Sequence, residues 1–153
     1  EIRWKYFPVL LAEASVLAVI ISFISQTMVG LILGMDAQGD AASFNYVQKL
    51  ALSLGAGLYE ELFFRVILVS LLVYLFKFVF SRKWAVNASA ILLAAALFSG
   101  VHYIGTFGDA FTMGSFLYRF IFGLFLNGVY LSRGFGVAAW THAIYDVLVI
   151  SIY

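Results

Sequence analysis

The sequence contains no cysteine and a single proline, and charged residues make up only 11% of its 153 positions. The absence of cysteine excludes disulfide bonds, zinc sites with thiolate ligands and a thiol nucleophile. The formal net charge is +1, and there is no basic run or basic patch with aromatic residues, so nothing indicates nucleic-acid binding. Because polar residues are few, the positions that they occupy carry most of the information about function.

Apolar side chains are abundant and account for 64% of the residues. This fraction exceeds the range of soluble globular proteins and is typical of a protein embedded in lipid. Five apolar segments each come near the length of about 20 residues that a helix needs to cross a bilayer. They cover approximately residues 8–33, 49–79, 84–103, 112–131 and 135–153. The sequence therefore predicts an all-α, polytopic transmembrane helix bundle with about five spanning helices, forming a single domain over residues 1–153.

The charges between the apolar segments predict the orientation of the chain. Arg82 and Arg133 lie in turns on one side of the bundle, whereas Asp36, Asp40 and Asp109 lie in connections on the other side. Cytoplasmic loops of membrane proteins are enriched in basic residues. We therefore expect an integral, multi-pass protein with its amino terminus in the cytoplasm. The expected location is a prokaryotic cell membrane.

Three ionisable residues, Glu60, Glu61 and Arg65, fall within one apolar segment. Inserting each such group costs about 2.5–3.5 kcal/mol, so buried charges of this kind usually have a function. Residues four apart share a face of a helix, so Glu61 and Arg65 are expected to form a structural ion pair, which leaves Glu60 available. The alternative is a group of charges that snorkels to the membrane interface, but Glu60 lies well inside the segment.

Both histidines of the chain also lie in apolar segments, each with a partner one helical turn away. Phe98 precedes His102 by four residues, and His142 precedes Asp146 by four residues. A lone histidine in such a segment is more often a packing residue, and the pair of His142 and Asp146 can be an internal hydrogen bond. Their occurrence together with the buried carboxylates favours a functional site.

The positions of these residues along their helices indicate which of them meet. Glu60 lies 22 residues before Arg82, and His102 lies 20 residues after it, so antiparallel helices bring both about 30 Å from the same turn. An acid and an imidazole at one depth, in a dry environment, can activate a water molecule. His142 does not fit this estimate, because it lies only nine residues past Arg133, or about 14 Å by helical rise.

Three patterns occur in order on successive segments: Glu60-Glu61-x-x-x-Arg65, Phe98-x-x-x-His102 and His142-x-x-x-Asp146. Together they resemble the three motifs of the CAAX-protease and bacteriocin-processing (CPBP) family of glutamic-type intramembrane endopeptidases. The family-like catalytic core covers about residues 46–153. The resemblance implies hydrolysis of a peptide bond in a hydrophobic or membrane-anchored substrate, in contact with membrane lipid and without a cofactor.

The resemblance also implies a role for each residue. Glu60 and His102 activate the attacking water, and His142 with Asp146 stabilises the oxyanion of the tetrahedral intermediate. Because an ionised carboxylate cannot donate a hydrogen bond, Asp146 is expected either to be protonated or to orient His142 through its ring N–H. The supporting residues are Glu61, Arg65 and Phe98.

Other interpretations of the same residues remain open at this point. No HExxH pattern is present, but Glu60, His102, His142 and Asp146 are possible ligands of a divalent metal such as zinc. Two alternatives to an enzyme are a non-catalytic membrane immunity or binding protein of the same fold and an ion-coupled transporter. The predicted orientation places the opening of the site on the outer side, which suits removal of a carboxy-terminal sorting signal or a leader peptide.

Overall fold

The computed structural model describes residues 4–33, 45–105 and 108–152, and all of their regular secondary structure is helical. The prediction of an all-α chain is confirmed. A short 3-10 turn at Trp4–Tyr6 precedes helix α1. The next three elements, α2, a π-helical segment and α3, follow one another without a break and form the second of five helical rods in the described part of the chain. The bounds are Phe7–Leu33 for α1, Tyr46–Glu61 for α2, Leu62–Val69 for the π segment, Ser70–Phe76 for α3, Lys83–Val101 for α4, Met113–Arg133 for α5 and Phe135–Ile152 for α6.

Several of these helices have the length and composition of membrane spans. Within the described ranges, Trp4–Leu33, Lys83–Val101 and Met113–Arg133 are long and apolar enough to cross a bilayer, and Phe135–Ser151 is a shorter apolar helix. Large apolar side chains such as Leu31 and Phe23 are exposed on the outside of the bundle, as expected for surfaces in contact with lipid. These helices indicate an integral membrane protein. Asp36 and Asp40, which contributed to the predicted orientation, lie outside the described residues.

Helix α6 lies at the centre of the bundle, where it packs against α1, α2 and α5. Its buried positions include Ala138, Ala139 and Ala143, and α1 contributes Ala14 and Ala18. Small residues of this kind let helix backbones approach closely in a membrane, where packing and hydrogen bonds rather than water drive association. The result is a tightly packed centre that fixes the position of α6 relative to its neighbours.

Helix α4 completes the bundle by packing against α5, α3 and the π segment. Ala90 and Ala94 of α4 form an apolar cluster with Val69 and Leu72. The helix ends at Val101, and the chain then turns through Gly105, whose φ of +92° suits a residue without a side chain. His102 therefore stands directly beyond the end of α4, next to the connection that leads to α5.

Helix α5 begins and ends with local signals that its sequence supplies. The Thr112 side chain accepts a hydrogen bond from the backbone N–H of Ser115 and caps the amino end. At the other end Gly134, with a φ of +87°, terminates the helix. Arg133 there forms a bidentate ion pair with Glu13 of α1. Its Nε atom is 2.5 Å from Oε1 and its Nη2 atom is 2.7 Å from Oε2. The acidic residue of the first apolar segment thus has a structural partner.

Candidate active site

The side chain of Glu60, at the end of α2, faces both imidazole rings of the chain. Its Oε2 atom lies 3.8 Å from Nε2 of His102 and 4.0 Å from Nε2 of His142. The same oxygen is buried, and it has no hydrogen-bond partner among the residues that the structure describes. Atoms separated by these distances do not hydrogen-bond directly, but one water molecule can bridge them. The three residues from three different helical segments therefore border one small space.

Hydrogen bonds fix which nitrogen of each imidazole faces that space. Nδ1 of His102 lies 2.8 Å from the carbonyl oxygen of Phe98, and Nδ1 of His142 lies 2.9 Å from Oε1 of Glu61. A carbonyl and a carboxylate can only accept, so both Nδ1 atoms carry the hydrogen and donate it. In the neutral rings the two Nε2 atoms are then unprotonated and turned toward Glu60. Each can take up a proton from a molecule held between them.

The ion pair expected within the first motif is confirmed. Nη1 of Arg65 lies 2.9 Å from Oε1 of Glu61, and both side chains are almost completely buried. Snorkelling to the membrane interface is therefore wrong for this pair. The Arg65 guanidinium also stacks over the ring of Phe98 at 4.3 Å, a favourable contact between a cation and an aromatic face. The Phe98 ring in turn contacts the rings of His102 and His142, with centroids 5.0 and 5.8 Å apart.

Asp146 lies beside His142 on α6. It is near Nε2 of His142 and not near Nδ1, the nitrogen whose hydrogen bond orients the ring. Its Oδ2 atom is 3.6 Å from Nε2 of His142, beyond hydrogen-bond distance. The hydrogen bond at Nδ1, one of the two roles considered for Asp146, is made by Glu61 instead. Asp146 thus faces the same nitrogen of His142 as Glu60 does. An ionised Asp146 stabilises the protonated imidazole there, whereas a neutral Asp146 can donate a hydrogen bond.

The spacing of these atoms bears on the metal alternative. Ligand atoms at 2.0–2.2 Å from a tetrahedral zinc ion lie about 3.3–3.6 Å from one another. The distances from Glu60 to the two imidazole nitrogens are longer, at 3.8 and 4.0 Å. Among the described residues, no group of three or more His, Asp or Glu side chains is arranged to hold a metal ion. Oδ2 of Asp146 and Nε2 of His142, at 3.6 Å, do match the spacing of zinc ligands. The contacts of Glu60 are the ones that fit a bridging water molecule better than a zinc ion.

The comparison with protein families identifies the family of the chain. A family model described as type II CAAX prenyl endopeptidase Rce1-like matches residues 42–148. The chain belongs to this family. Its matched part contains all seven residues that the sequence pointed to, and the resemblance to CAAX-type intramembrane proteases is confirmed, as is the prediction of a peptidase. No curated protein and no solved structure matches the chain.

Three features of the site in this Rce1-like family member were not predicted from the sequence. Glu61 binds His142 as well as Arg65, the Phe122 ring packs edge-on against His142 at 5.6 Å, and Gly57 brings α2 against α6. Only the role of Gly57 had a signal in the sequence. Gly57 precedes Glu60 by three residues, so this small residue lies on the same side of α2 as the carboxylate. The other two features join helices that are distant in sequence.

Proposed function

We propose that this chain is an intramembrane endopeptidase that hydrolyses a peptide bond of a hydrophobic or membrane-anchored substrate. The proposal rests on one observation, the buried Oε2 atom of Glu60 that faces the Nε2 atoms of His102 and His142 at 3.8 and 4.0 Å. A water molecule between these atoms meets one carboxylate and two imidazoles. Membership of a CAAX-type peptidase family supports the same reaction.

The proposed reaction begins with the water bound between Glu60 and His102. One of these groups takes a proton from the water as its oxygen attacks the carbonyl carbon of the substrate. The carbonyl oxygen becomes an oxyanion. His142 enters the reaction as an imidazolium, with a proton on each ring nitrogen, and donates a hydrogen bond from Nε2 to the oxyanion, with Asp146 beside the same nitrogen. When the C–N bond breaks, the proton taken from the water is transferred to the leaving amine.

Glu61, Arg65 and Phe98 act by holding this arrangement in place. Glu61 accepts the Nδ1–H of His142 and so fixes the ring with Nε2 toward the water. Its negative charge also favours the protonated form of His142 during oxyanion formation. Arg65 balances the buried charge of Glu61, and Phe98 packs against the guanidinium and both imidazoles.

An apolar groove beside the site supports a hydrophobic substrate. It has a volume of about 200 Å³ between α2 and α6, and it is lined by Leu54, Leu58, Ala139, Trp140 and Ala143. Ala143 directly follows His142, and Leu58 precedes Glu60 by two residues, so the groove lies at the level of the site along α2 and α6. We propose that this groove holds an apolar part of the substrate.

The arrangement in the membrane is part of the proposal. All five helical rods would cross the bilayer as a single domain over residues 1–153, with the catalytic core over about residues 46–153 and the amino terminus in the cytoplasm. The second rod carries Glu60, Glu61 and Arg65, and the surrounding helices shield these charges from lipid. Burial of Glu61 and Arg65 supports this placement.

The central experiment compares two carboxylates in apolar helices. Glu60→Gln is expected to reduce cleavage of a membrane-anchored peptide by about 100- to 10,000-fold, because a carboxamide cannot accept the proton of water. Glu13→Gln serves as the matched control and should retain activity, since Glu13 pairs with Arg133 away from the site. Full activity of Glu60→Gln contradicts the proposal. A biological effect that survives both substitutions identifies a binding protein, and ion flux in liposomes without cleavage identifies a transporter.

A further inference from the structure

A second polar cluster lies at the connection between α4 and α5, and the proposed reaction does not use it. Nη1 of Arg119 lies 2.9 Å from the hydroxyl of Tyr103 and 2.8 Å from that of Ser115. Nη2 donates a hydrogen bond to Oδ2 of Asp109. Apart from Arg133 at its end, Arg119 is the only charged residue in the sequence of α5. A cation in such a helix is costly, and it is therefore usually kept for a function.

His102 stands where α4 no longer holds the chain. The helix ends at Val101, and the last carbonyl groups of a helix have no partner within it. The carbonyl oxygen of His102 instead accepts a hydrogen bond of 2.9 Å from the backbone N–H of Asp109. The bond from Nδ1 to Phe98 fixes the ring, whereas the bond from Asp109 holds the backbone that carries the ring. The position of Nε2 depends on both.

The cluster holds this connection from α5. Arg119 binds the side chain of Asp109 and the hydroxyl of Tyr103, the residue that directly follows His102. The connection is also closely packed, because a Cβ atom added to Gly108 would lie 2.8 Å from the carbonyl carbon of Tyr103. A single arginine thus contacts both ends of the segment that the hydrogen bond to His102 closes.

Helix α5 is a common support for both imidazoles. Arg119 precedes Phe122 by three residues, so both lie on one side of α5, and the Phe122 ring packs against His142. A separate hydrogen bond of 2.7 Å, from the hydroxyl of Ser99 to the carbonyl oxygen of Phe116, ties α4 to α5. Loss of the Arg119 side chain should therefore release the chain beyond α4 while the two helices stay together.

We propose that Arg119 and Asp109 are positioning residues that keep Nε2 of His102 at the distance from Glu60 that one water molecule can bridge. Arg119 holds Asp109, and the backbone N–H of Asp109 holds His102. The inference rests on the proposed function. The distance from Oε2 of Glu60 to Nε2 of His102 is 3.8 Å, and a displacement of about 1 Å in a site lowers activity by about 100-fold.

The first test measures kcat and KM for a membrane-anchored peptide. Arg119→Gln and Asp109→Ala are both expected to lower kcat about 10- to 100-fold and to leave KM unchanged, because they misplace His102 without affecting substrate binding. The two substitutions alter the local charge in opposite directions, so an effect of charge alone would be opposite in the two variants. Arg119→Lys keeps a cation beside Asp109 and should be intermediate. Arg133→Gln, at the other end of α5, should retain the native kcat.

The second test needs no substrate, because His102 and His142 are the only histidines in the chain. Isotope-labelled histidine gives two sets of ring signals in NMR spectra, and His142→Ala assigns them. Arg119→Gln is expected to shift or broaden the signals of His102 and to leave those of His142 close to native. Gly108→Ala, which changes no charge, should have the same effect because its methyl group pushes the connection away from Tyr103.

Native kcat in both Arg119→Gln and Asp109→Ala overturns the inference, and a raised KM with native kcat does so as well, because it assigns the cluster to substrate binding. Equal changes in the ring signals of both histidines also overturn it, since they indicate a general loss of structure. If the native protein cleaves no peptide, the proposed function fails. The ring signals then decide the positioning separately, and native signals for His102 in Arg119→Gln overturn it.

Discussion

Gly57 on α2 and Ala143 on α6 lie so close together that a Cβ atom added to Gly57 would be 2.6 Å from both the Cβ and the backbone nitrogen of Ala143. The contact is one helical turn before Glu60 and directly next to His142. It therefore sets the separation of the two helices at the level where Glu61 and His142 form their 2.9 Å hydrogen bond. The position of the proposed water depends on this backbone approach.

Gly57→Ala is expected to force α2 and α6 apart, because the new methyl group meets backbone atoms that cannot move aside. Overpacking of this kind costs about 1–3 kcal/mol of stability, and a displacement of about 1 Å in the site lowers activity by about 100-fold. Thermal unfolding in detergent and peptide cleavage measure the two effects. Gly55→Ala, also in α2, is the matched control, because nothing lies within 4 Å of its added Cβ. Similar behaviour of the two variants shows that the close approach is not needed.

Glu61→Gln is expected to act mainly on the stability of the protein. Its effect on the hydrogen bond to His142 should be smaller. The substitution leaves the buried guanidinium of Arg65 without a counter-charge, which costs about 3–5 kcal/mol. In the double variant Glu61→Gln with Arg65→Gln both charges are absent, so most of the stability should return. Activity should remain at least about 10-fold below native, because His142 no longer has a carboxylate at Nδ1.

Thermal unfolding of the single and double variants, together with their cleavage rates, separates the two roles of Glu61. If the double variant regains activity along with stability, Glu61 serves only as a counter-charge. If it regains neither, the ion pair contributes to the fold through more than charge balance.

The membrane-length helices could be predicted closely because a run of apolar residues is a local property. The predicted segment 8–33 corresponds to α1 at Phe7–Leu33, and the segment 112–131 corresponds to α5 at Met113–Arg133. The second segment was predicted as one continuous helix, whereas the structure contains a π segment at Leu62–Val69. That stretch contains neither proline nor glycine, so its sequence carries no signal for the change, although such segments are frequent at functional sites.

Contacts within one helix could be predicted, but contacts between helices could not. The ion pair of Glu61 and Arg65 followed from their spacing, whereas the bond from Glu61 to His142 joins residues 81 positions apart. The depth estimate placed His142 far from Glu60 and His102, yet these side chains meet. That estimate assumed untilted helices whose turns lie at one level, and the sequence does not record helix tilt or the relative height of turns.

The predicted orientation can be measured with single cysteines, because the native chain has none. Ser81 and Ala110 are both exposed and lie in different connections. If the positive-inside rule holds, Ala110→Cys reacts with a membrane-impermeant maleimide in intact cells, and Ser81→Cys reacts only after the membrane is permeabilised. The native chain should remain unlabelled in both conditions. Labelling in the reverse order means that the proposed site opens toward the cytoplasm.

Hydrolysis by this site is expected to persist after removal of divalent metal ions. Oε2 of Glu60 is 3.8 and 4.0 Å from the Nε2 atoms of His102 and His142, wider than the roughly 3.3–3.6 Å between ligands of a tetrahedral zinc ion. In addition, a carboxylate and two imidazoles can activate water without a metal. Purified protein should therefore keep its cleavage rate after dialysis against a chelator and contain far less than one equivalent of zinc. Loss of activity that returns on adding zinc, together with stoichiometric metal that is absent from His142→Ala, assigns these residues to a metal site instead.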